Sequence, residues 1–321
     1  MNNSNNNNNP NRYTILEKTR LSPSVVRMRV YAPRVAAKAA AGQFFLLRAH
    51  ARGERVPFTF SDWSADAGWI QFVFLVVGKT TAYLADLEVG QAVCNVAGPL
   101  GRPTRIAGTG PVIVVGGGVG VAVAYPVARM LAAAGRAVYV ISGARTAELL
   151  ILQDELAALD LAAAPFVTTD DGSAGDRGLV TAPLAQLCAQ LSDARAFVVG
   201  PAVMMRFAAQ TALDAGVPVT ASLNPLMVDG TGMCGACRVS IDGATHFACV
   251  EGPDFNAARV DWDELAQRQR TYAAAEQLAY QGYRAGDAQR MHDDCSCWER
   301  GPGAGTDAVP DAVARTAGGE R

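Results

Sequence analysis

Short apolar runs separated by turn-forming residues fill the chain from Tyr13 to Ile106. The runs are rich in Val, Phe and Leu, and Gly, Pro and Asp interrupt them at intervals that are typical of a β-barrel or a β-sandwich. Four of these runs read VVRMRVYAP, QFFLLRAH, RVPFTFSDW and WIQFVFLVV. The pattern therefore predicts an all-β domain in the first third of the chain.

The hydrophobic pattern changes at Gly108, where short buried runs begin to alternate with longer helical ones. Strands are predicted over 111–115, 137–144, 164–170 and 195–200, and helices over 121–135, 146–159, 179–191 and 202–216. Such alternation is typical of a parallel α/β domain, which we place at 108–222. A polar helix is predicted further on, over 263–283.

The stretch between Arg105 and Arg129 carries no charge, which raises the question of a membrane span. Glycines and Pro126 interrupt it, whereas a spanning helix needs roughly 20 predominantly apolar residues in sequence. A buried strand, a glycine turn and a buried helix fit the stretch better. Residues 1–12 are rich in Asn and lack the basic start and apolar core of a signal peptide, so they predict a disordered tail. A second disordered tail is predicted over 286–321.

Charge and cysteine content narrow the classes of function. A net charge of −2 gives no reason to expect nucleic acid as a partner. Seven cysteines are too few and too unevenly spaced for a disulfide scaffold, and clustered cysteines more often bind a metal. His292, Cys295 and Cys297 form a short Cys/His tract of low specificity, for which metal binding is only the minor alternative.

The main cysteine segment is VDGTGMCGACRVSIDGATHFACVEG, residues 228–252. Two residues separate Cys234 from Cys237, and eleven separate Cys237 from Cys249. Zinc ribbons usually have two Cys-x-x-Cys pairs, and here there is only one. The plant-type [2Fe–2S] spacing is C-x4-C-x2-C…C, and its first position falls on Asp229. The segment therefore predicts a [2Fe–2S] site with Asp229, Cys234, Cys237 and Cys249 as ligands. Zinc is the alternative metal, and capping of the loop is the alternative role for Asp229.

Two glycine turns follow predicted strands of the α/β domain. GGGVG, Gly116 to Gly120, opens a helix, where backbone N–H groups can approach a phosphate and the helix N-terminus favours its charge. The strict dinucleotide fingerprint fails, because Val121 and Val123 occupy the two possible positions of its third glycine. GPAVMM, which begins at Gly200, is expected at the carboxyl end of the sheet, where ligands bind. The alternative for both segments is a plain strand–helix turn.

Two segments of the β-rich half are each a weak signal, but together they indicate a flavin site. These are RVPFT, Arg55 to Thr59, and GKTTAYL, Gly78 to Leu84. An arginine can pair with a pyrophosphate, threonine hydroxyls and backbone can hold phosphate, and Phe58 can lie against a flavin. A flavin-carrying barrel followed by a nicotinamide-binding domain is a coherent arrangement.

Taken in order, these segments resemble the ferredoxin–NADP reductase superfamily. The resemblance spans about Tyr13 to Tyr283 and rests on RVPFT, VVGKTTAYL, GPLGRP, VVGGGVGVAVAYPVARML, GARTAELLI, TDDGSAGDRGLVT, GPAVMM and SLNPLMVDGTGMCGACRVSIDG…FACVEGPDF. Within the superfamily the chain resembles the small flavin and iron–sulfur subunits of NADH-dependent reduced ferredoxin:NADP oxidoreductase and of sulfide dehydrogenase. These subunits are related to the electron-transfer subunit of dihydroorotate dehydrogenase, which has a cysteine where this chain has Asp229.

The resemblance implies a Greek-key FAD-binding β-barrel (13–107), a parallel-sheet NAD(P)-binding domain (108–222) and a small [2Fe–2S] module with a helix (223–285). It implies transfer of a hydride from NADH, or alternatively NADPH, to FAD, and of single electrons through the cluster to a partner. The predicted cofactor-binding residues of the barrel are Arg55, Pro57, Phe58, Thr59, Leu75, Val77, Gly78, Thr80 and Thr81. Those of the nucleotide-binding domain are Gly116, Gly117, Gly118, Gly120, Gly200 and Pro201.

A chain that ends in a one-electron relay, with no second substrate site, is expected to be a subunit. The expected partner is a larger flavin and iron–sulfur oxidoreductase subunit, and the expected location is the cytoplasm, without insertion into a membrane. The alternatives are the electron-transfer subunit of dihydroorotate dehydrogenase in pyrimidine biosynthesis, a stand-alone NAD(P)H reductase that uses a soluble ferredoxin, and a non-enzymatic protein that binds zinc or senses redox state.

Overall fold

The computed structural model describes residues 13–287. The two predicted disordered tails, apart from residues 286–287, lie outside the described residues, as does the tract with His292, Cys295 and Cys297. In the part of the chain that is described, none of the helices is both long enough and apolar enough to cross a bilayer.

Two antiparallel sheets form the β-rich half, as predicted. Their strands are β1 (Ile15–Ser22), β2 (Val25–Tyr31), β3 (Phe44–Arg48), β4 (Arg55–Thr59), β5 (Asp62–Ser64), β6 (Trp69–Leu75) and β7 (Asn95–Leu100), and two helices, α1 (Pro33–Ala36) and α2 (Lys79–Asp86), connect them. One sheet has the order β1-β2-β6-β5 and the other β4-β3-β7. Aromatic side chains from both sheets fill the space between them, with the rings of Phe45 and Phe72 5.3 Å apart.

A parallel sheet with helices forms the next part of the chain, which confirms the predicted α/β architecture. Its strands are β8 (Val112–Gly117), β9 (Val138–Ala144), β10 (Phe166–Thr169), β11 (Asp176–Arg177), β12 (Arg195–Val199) and β13 (Val219–Ser222). Its helices are α3 (Val121–Ala133), α4 (Gln153–Ala157), α5 (Thr181–Gln190) and α6 (Ala202–Asp214). The strand order is β11-β10-β9-β8-β12-β13. The strands that follow β8 are therefore added first on one side of it (β9 to β11) and then on the other side (β12 and β13).

The cysteine segment is followed by β14 (Arg238–Ile241), β15 (Ala244–Phe247), α7 (Ala248–Glu251), β16 (Asp254–Asn256), α8 (Trp262–Gln269) and α9 (Ala273–Gly282). β14 and β15 form a hairpin, whereas β16 joins the large sheet as an antiparallel neighbour of β13. The chain then returns to the barrel, where Tyr283 is buried and its hydroxyl donates to Asp86 Oδ2 at 2.6 Å. The chain that follows the cysteine segment therefore packs on both the α/β domain and the barrel.

Two predicted helices are wrong in extent. The predicted helix over 146–159 is a 3₁₀ turn at Ala147–Leu149, an extended segment, and α4. Its consecutive apolar residues Ile151 and Leu152 are both buried, with Leu152 in the left-handed region at φ 57°, so they enter the core directly rather than from one helix face. The predicted helix over 263–283 is broken between α8 and α9, because α8 packs Leu265 on the α/β core while the chain after α9 packs on the barrel.

Candidate functional site

The two glycine turns lie side by side at the carboxyl edge of the parallel sheet. β8 and β12 are neighbours, with Gly116 opposite Val199, and each strand runs directly into its turn. The strand order reverses between β8 and β12, and ligands of open α/β sheets bind at such a switch point. The structure thus brings Gly116–Gly120 and Gly200–Pro201 together, as the sequence predicts.

Close packing of the two turns explains most of these glycines. A Cβ at Gly120 would lie 2.5 Å from the Val199 carbonyl oxygen and 2.8 Å from Gly200 Cα. A Cβ at Gly117 would collide with Met204 Sδ. Gly118 differs, because its φ of 54° is left-handed and a Cβ there would meet no atom within 4 Å. Gly118 therefore marks the open side of the turn, where α3 begins and its N-terminal N–H groups favour an anion.

The two predicted flavin segments also lie together. Glu54, directly before β4, accepts a hydrogen bond from Thr80 Oγ1 at 2.6 Å and forms an ion pair with Lys79 at 2.7 Å. Burial raises the pKa of Glu54, but the hydrogen bonds from Lys79 and Thr80 outweigh it and hold that pKa below its ordinary value. Thr81 Oγ1 accepts from the amides of Val77 and Gly78 at 3.1 and 3.0 Å, which caps the first turn of α2. Both threonine hydroxyls therefore fix the N-terminus of α2.

Alternation along β4 divides the predicted flavin residues between two faces. Arg55, Pro57 and Thr59 share the more exposed face. Phe58 lies on the other face and is buried in the barrel core, with its ring 4.9 Å from that of Phe72. This placement does not favour the predicted contact of Phe58 with a flavin, because the ring points into the hydrophobic core of the barrel. The accessible face of β4 is the one that carries Arg55.

Exposed apolar side chains border the N-terminus of α2. Leu75 ends β6 and is 36 % exposed, and Val77 is 62 % exposed. Exposed large apolar groups beside a helix N-terminus suit a ligand that has both an apolar and an anionic part.

Two of the predicted cluster ligands are buried next to each other. Cys237 and Cys249 are each 2 % exposed, and the Cys249 amide donates to Cys237 Sγ at 3.4 Å. Burial, and then the neighbouring Cys237, raise the pKa of the Cys249 thiol to about 12. Such a pair of thiols is costly to ionise unless a cation compensates the charge, which is what an iron site provides.

The other two predicted ligands, Asp229 and Cys234, form a second pair at the surface. Asp229 Oδ1 accepts from the Thr231 amide at 2.8 Å, and Oδ2 accepts from the Cys234 amide at 2.9 Å. The Thr231 amide foremost, and Cys234 after it, hold the pKa of Asp229 below its ordinary value. Asp229 thus caps the loop in this structure, and its ligation of iron stays a prediction.

The arrangement of the four predicted ligands indicates which kind of metal group they can bind. Within residues 13–287, no three His, Cys, Asp or Glu side chains are close enough to surround one metal ion. The four predicted ligands instead form two pairs, one buried and one exposed. A [2Fe–2S] cluster takes two ligands at each of its two irons, so this donor set fits a cluster better than it fits a single ion.

The cysteine loop rests directly on the barrel. A Cβ at Gly230, whose φ is 74°, would lie 2.7 Å from Leu100 Cδ1 and 3.0 Å from Leu46 Cδ1. The Gly101 amide donates to the Cys249 carbonyl at 3.2 Å. The predicted ligands therefore lie against β3 and β7 of the predicted flavin domain.

Two features of the site escaped sequence reasoning. The β14–β15 hairpin turns at Asp242 and Gly243, both with positive φ, and an Asp-Gly pair between apolar runs is a strong hairpin signal. Glu54 is the second feature, because no sequence signal marks a carboxylate that lies beside an expected phosphate site.

Comparison with known protein families gives two matches. The iron–sulfur cluster binding domain of dihydroorotate dehydrogenase B matches residues 224–261. The oxidoreductase NAD-binding domain matches residues 114–210, which contain both glycine turns.

Relatives cover nearly all of the described chain. A homologue of the dihydroorotate dehydrogenase B (NAD+) electron-transfer subunit from Thermotoga maritima is 42 % identical over 84 % of this chain and 94 % of its own. The corresponding subunit of Desulforamulus reducens is 31 % identical over 76 % of this chain and 95 % of its own. A chain of the NADH-dependent reduced ferredoxin–NADP oxidoreductase superposes with a TM-score of 0.79, at 42 % identity, over 85 % of this chain and 98 % of that one. The chain belongs to the family of dihydroorotate dehydrogenase B electron-transfer subunits and their homologues.

Proposed function

We propose that this chain collects electrons from NADH and delivers them, one at a time, to a larger flavin and iron–sulfur oxidoreductase subunit. When bound, NADH supplies a hydride, FAD divides its two electrons, and a [2Fe–2S] cluster relays them singly. The observation that carries the proposal is the packing of Gly230 on Leu46 and Leu100, because it joins the cysteine loop to the barrel without an intervening layer.

Nucleotide binding is assigned to the two adjacent glycine turns. Gly118 leaves the mouth of the turn open, and the N-terminus of α3 favours the pyrophosphate. The close packing of Gly117 and Gly120 against the second turn supports a rigid cradle, in which Gly200 and Pro201 face the nicotinamide end.

Flavin binding is assigned to the exposed face of β4 and to the N-terminus of α2. Arg55 is the cation available to a pyrophosphate, and the first-turn amides of α2 that follow Gly78 can hold the same group. Leu75 and Val77 offer apolar contact to the flavin ring. The roles of Thr80 and Thr81 are to fix this helix start through Glu54 and the capping bonds.

Iron binding is assigned to Cys237 and Cys249 at one iron and to Asp229 and Cys234 at the other. Cys237 and Cys249 cluster with Phe44 and Leu100 of the barrel, whereas Cys234 is exposed. A cluster held by these residues would supply a one-electron relay between the barrel and the surface. Met233, beside Cys234, is 88 % exposed, which suits a surface that a partner covers.

We infer a cytoplasmic location, because NADH serves as the electron donor and the ligand cysteines must stay reduced. The partner is inferred from the relatives, which are named as electron-transfer subunits.

Co-purification with cofactor analysis tests the proposal. The tagged chain, purified from its native cell, should bring down a larger flavoprotein in a stable complex. The denatured chain alone should release FAD, and its iron and sulfide should be present in equal amounts. A chain that purifies alone but still reduces a soluble ferredoxin with NADH would favour the stand-alone reductase, and one without flavin would overturn the proposal.

A further inference from the structure

A cleft opens at the amino edge of the parallel sheet, opposite the edge that carries the glycine turns. Its volume is about 630 Å³, which is within the usual range for clefts that bind small molecules. One wall is the link between barrel and sheet, residues 102–107, and another is formed by Arg195 and Val219 at the starts of β12 and β13. The third wall is residues 251–256, directly after the cysteine loop.

Two arginines of this cleft form no ion pair within residues 13–287, although the charge of Arg102 also acts on the nearby carboxylate of Glu251. Arg105 is exposed, and its guanidinium forms no hydrogen bond or ion pair with any of the residues between 13 and 287. Arg102 donates through Nε to the Val250 carbonyl at 3.2 Å, which leaves the two terminal nitrogens for a ligand. Arg195 differs, because it forms an ion pair with Asp193 at 2.9 Å.

The acidic groups of the cleft are already bound or largely buried. Glu251 accepts from the Phe247 amide at 2.6 Å and pairs with His246 Nδ1 at 2.7 Å. Asp254 Oδ2 accepts from Thr104 Oγ1 at 2.5 Å, and Ser222, opposite it on β13, also hydrogen-bonds to the carboxylate. Burial raises the pKa of Asp254 to about 6.

We propose that this cleft binds a small organic anion, with a carboxylate or phosphate group on Arg102 and Arg105. Guanidinium groups are well matched to both anions, since they offer paired donors. The body of the ligand would lie on the apolar side chains of Ile106, Pro218 and Phe255.

The position of the cleft distinguishes it from the nucleotide site. It lies at the opposite edge of the sheet, so a ligand there does not compete with a dinucleotide at the glycine turns. Arg102 contacts the residue directly after Cys249, so the bound ligand would sit beside the chain that carries a predicted cluster ligand. The proposal does not depend on the function proposed above.

Calorimetric titration of the full-length holoprotein tests this site, with NAD+ present to fill the nucleotide site. The probes are 4-hydroxybenzoate and 4-hydroxyphenyl phosphate, and the neutral control is 4-hydroxybenzamide. We expect at least one anionic probe to bind and the amide to bind at least about tenfold more weakly. Arg105→Gln and Arg102→Gln should each weaken the anion about tenfold, or about 1.4 kcal/mol.

Arg270→Gln is the matched control, since Arg270 is an exposed arginine of α8's end that does not line the cleft. It should leave the affinity unchanged. Arg105→Gln removes no bond of the described fold, so its melting temperature should equal that of the wild type. Absence of binding by both anions, equal binding of the amide, or unchanged affinity in the Arg102/Arg105 double variant would each overturn the proposal.

Discussion

Replacing Gly118 with glutamate should weaken NADH binding while flavin and cluster stay bound. The open space around Gly118 accommodates a side chain, so the substitution places a carboxylate at the mouth of the turn without a collision. Its φ of 54° is left-handed, which costs any other residue about 1 kcal/mol of stability. Gly118→Gln carries the same strain and nearly the same volume, and it is therefore the matched control.

The size of the effect follows from Coulomb's law. Two unit charges about 6 Å apart repel by about 3 kcal/mol at an effective dielectric constant of about 20, and by about 0.7 kcal/mol in water. An exposed turn lies between these limits, so we expect about 1–2 kcal/mol, or about 5–30-fold weaker binding of NADH. The Gln variant should lose much less of the binding free energy for NADH.

Stopped-flow bleaching of the flavin at increasing NADH concentration measures this difference. The Glu variant should need about 5–30-fold more NADH for half-maximal rate, and raising the salt concentration should narrow the gap. Equal behaviour of the Glu and Gln variants would show that the turn does not meet a pyrophosphate. Flavin and iron content of each variant confirm that the rest of the protein is intact.

Three further perturbations follow from particular contacts. Asp229→Asn should change the paramagnetic resonance spectrum of the reduced cluster, because an amide is a poor iron ligand; an unchanged spectrum would assign Asp229 to capping alone. Tyr283→Phe should lower the unfolding free energy by about 1–2 kcal/mol in denaturant titrations, because it removes the hydrogen bond from the Tyr283 hydroxyl to the Asp86 carboxylate. Tyr272→Phe, at an exposed position, should not. Burial raises the pKa of Asp254 to about 6, so deprotonation of this carboxyl destabilises the folded wild type as the pH rises from about 4 to 6. Over this pH range the unfolding free energy of Asp254→Asn should therefore rise by up to about 3 kcal/mol relative to that of the wild type. A relative stability that does not vary with pH would contradict that burial.

Local sequence patterns predicted the elements whose signal lies within a few residues. β4 begins at Arg55 and occupies the first five residues of the predicted run RVPFTFSDW, and the helix predicted from Val121 begins at that residue. Alternation of β-branched residues and a glycine turn before an apolar helix are both local signals. The spacing of the three cysteines also predicted the segment that matches an iron–sulfur domain.

Features that depend on distant parts of the chain were beyond such patterns. β16 is three residues long and forms only because β13 offers an unpaired edge, which nothing in its own sequence indicates. The inward turn of Phe58 depends on Phe72 and Phe74 across the barrel. The break between α8 and α9 likewise follows from where each end of the segment packs.

Anaerobic reduction by NADH, followed by electron paramagnetic resonance, tests the central claim most directly. Purified chain that holds FAD and iron should show bleaching of the flavin and then the signal of a reduced [2Fe–2S] cluster, without any partner or mediator. Cys237→Ser should abolish the cluster signal and keep the flavin bleaching, because Cys237 is one of the two buried ligands. A wild-type chain whose flavin bleaches with NADH while its cluster stays oxidised would contradict the proposed route from barrel to cysteine loop.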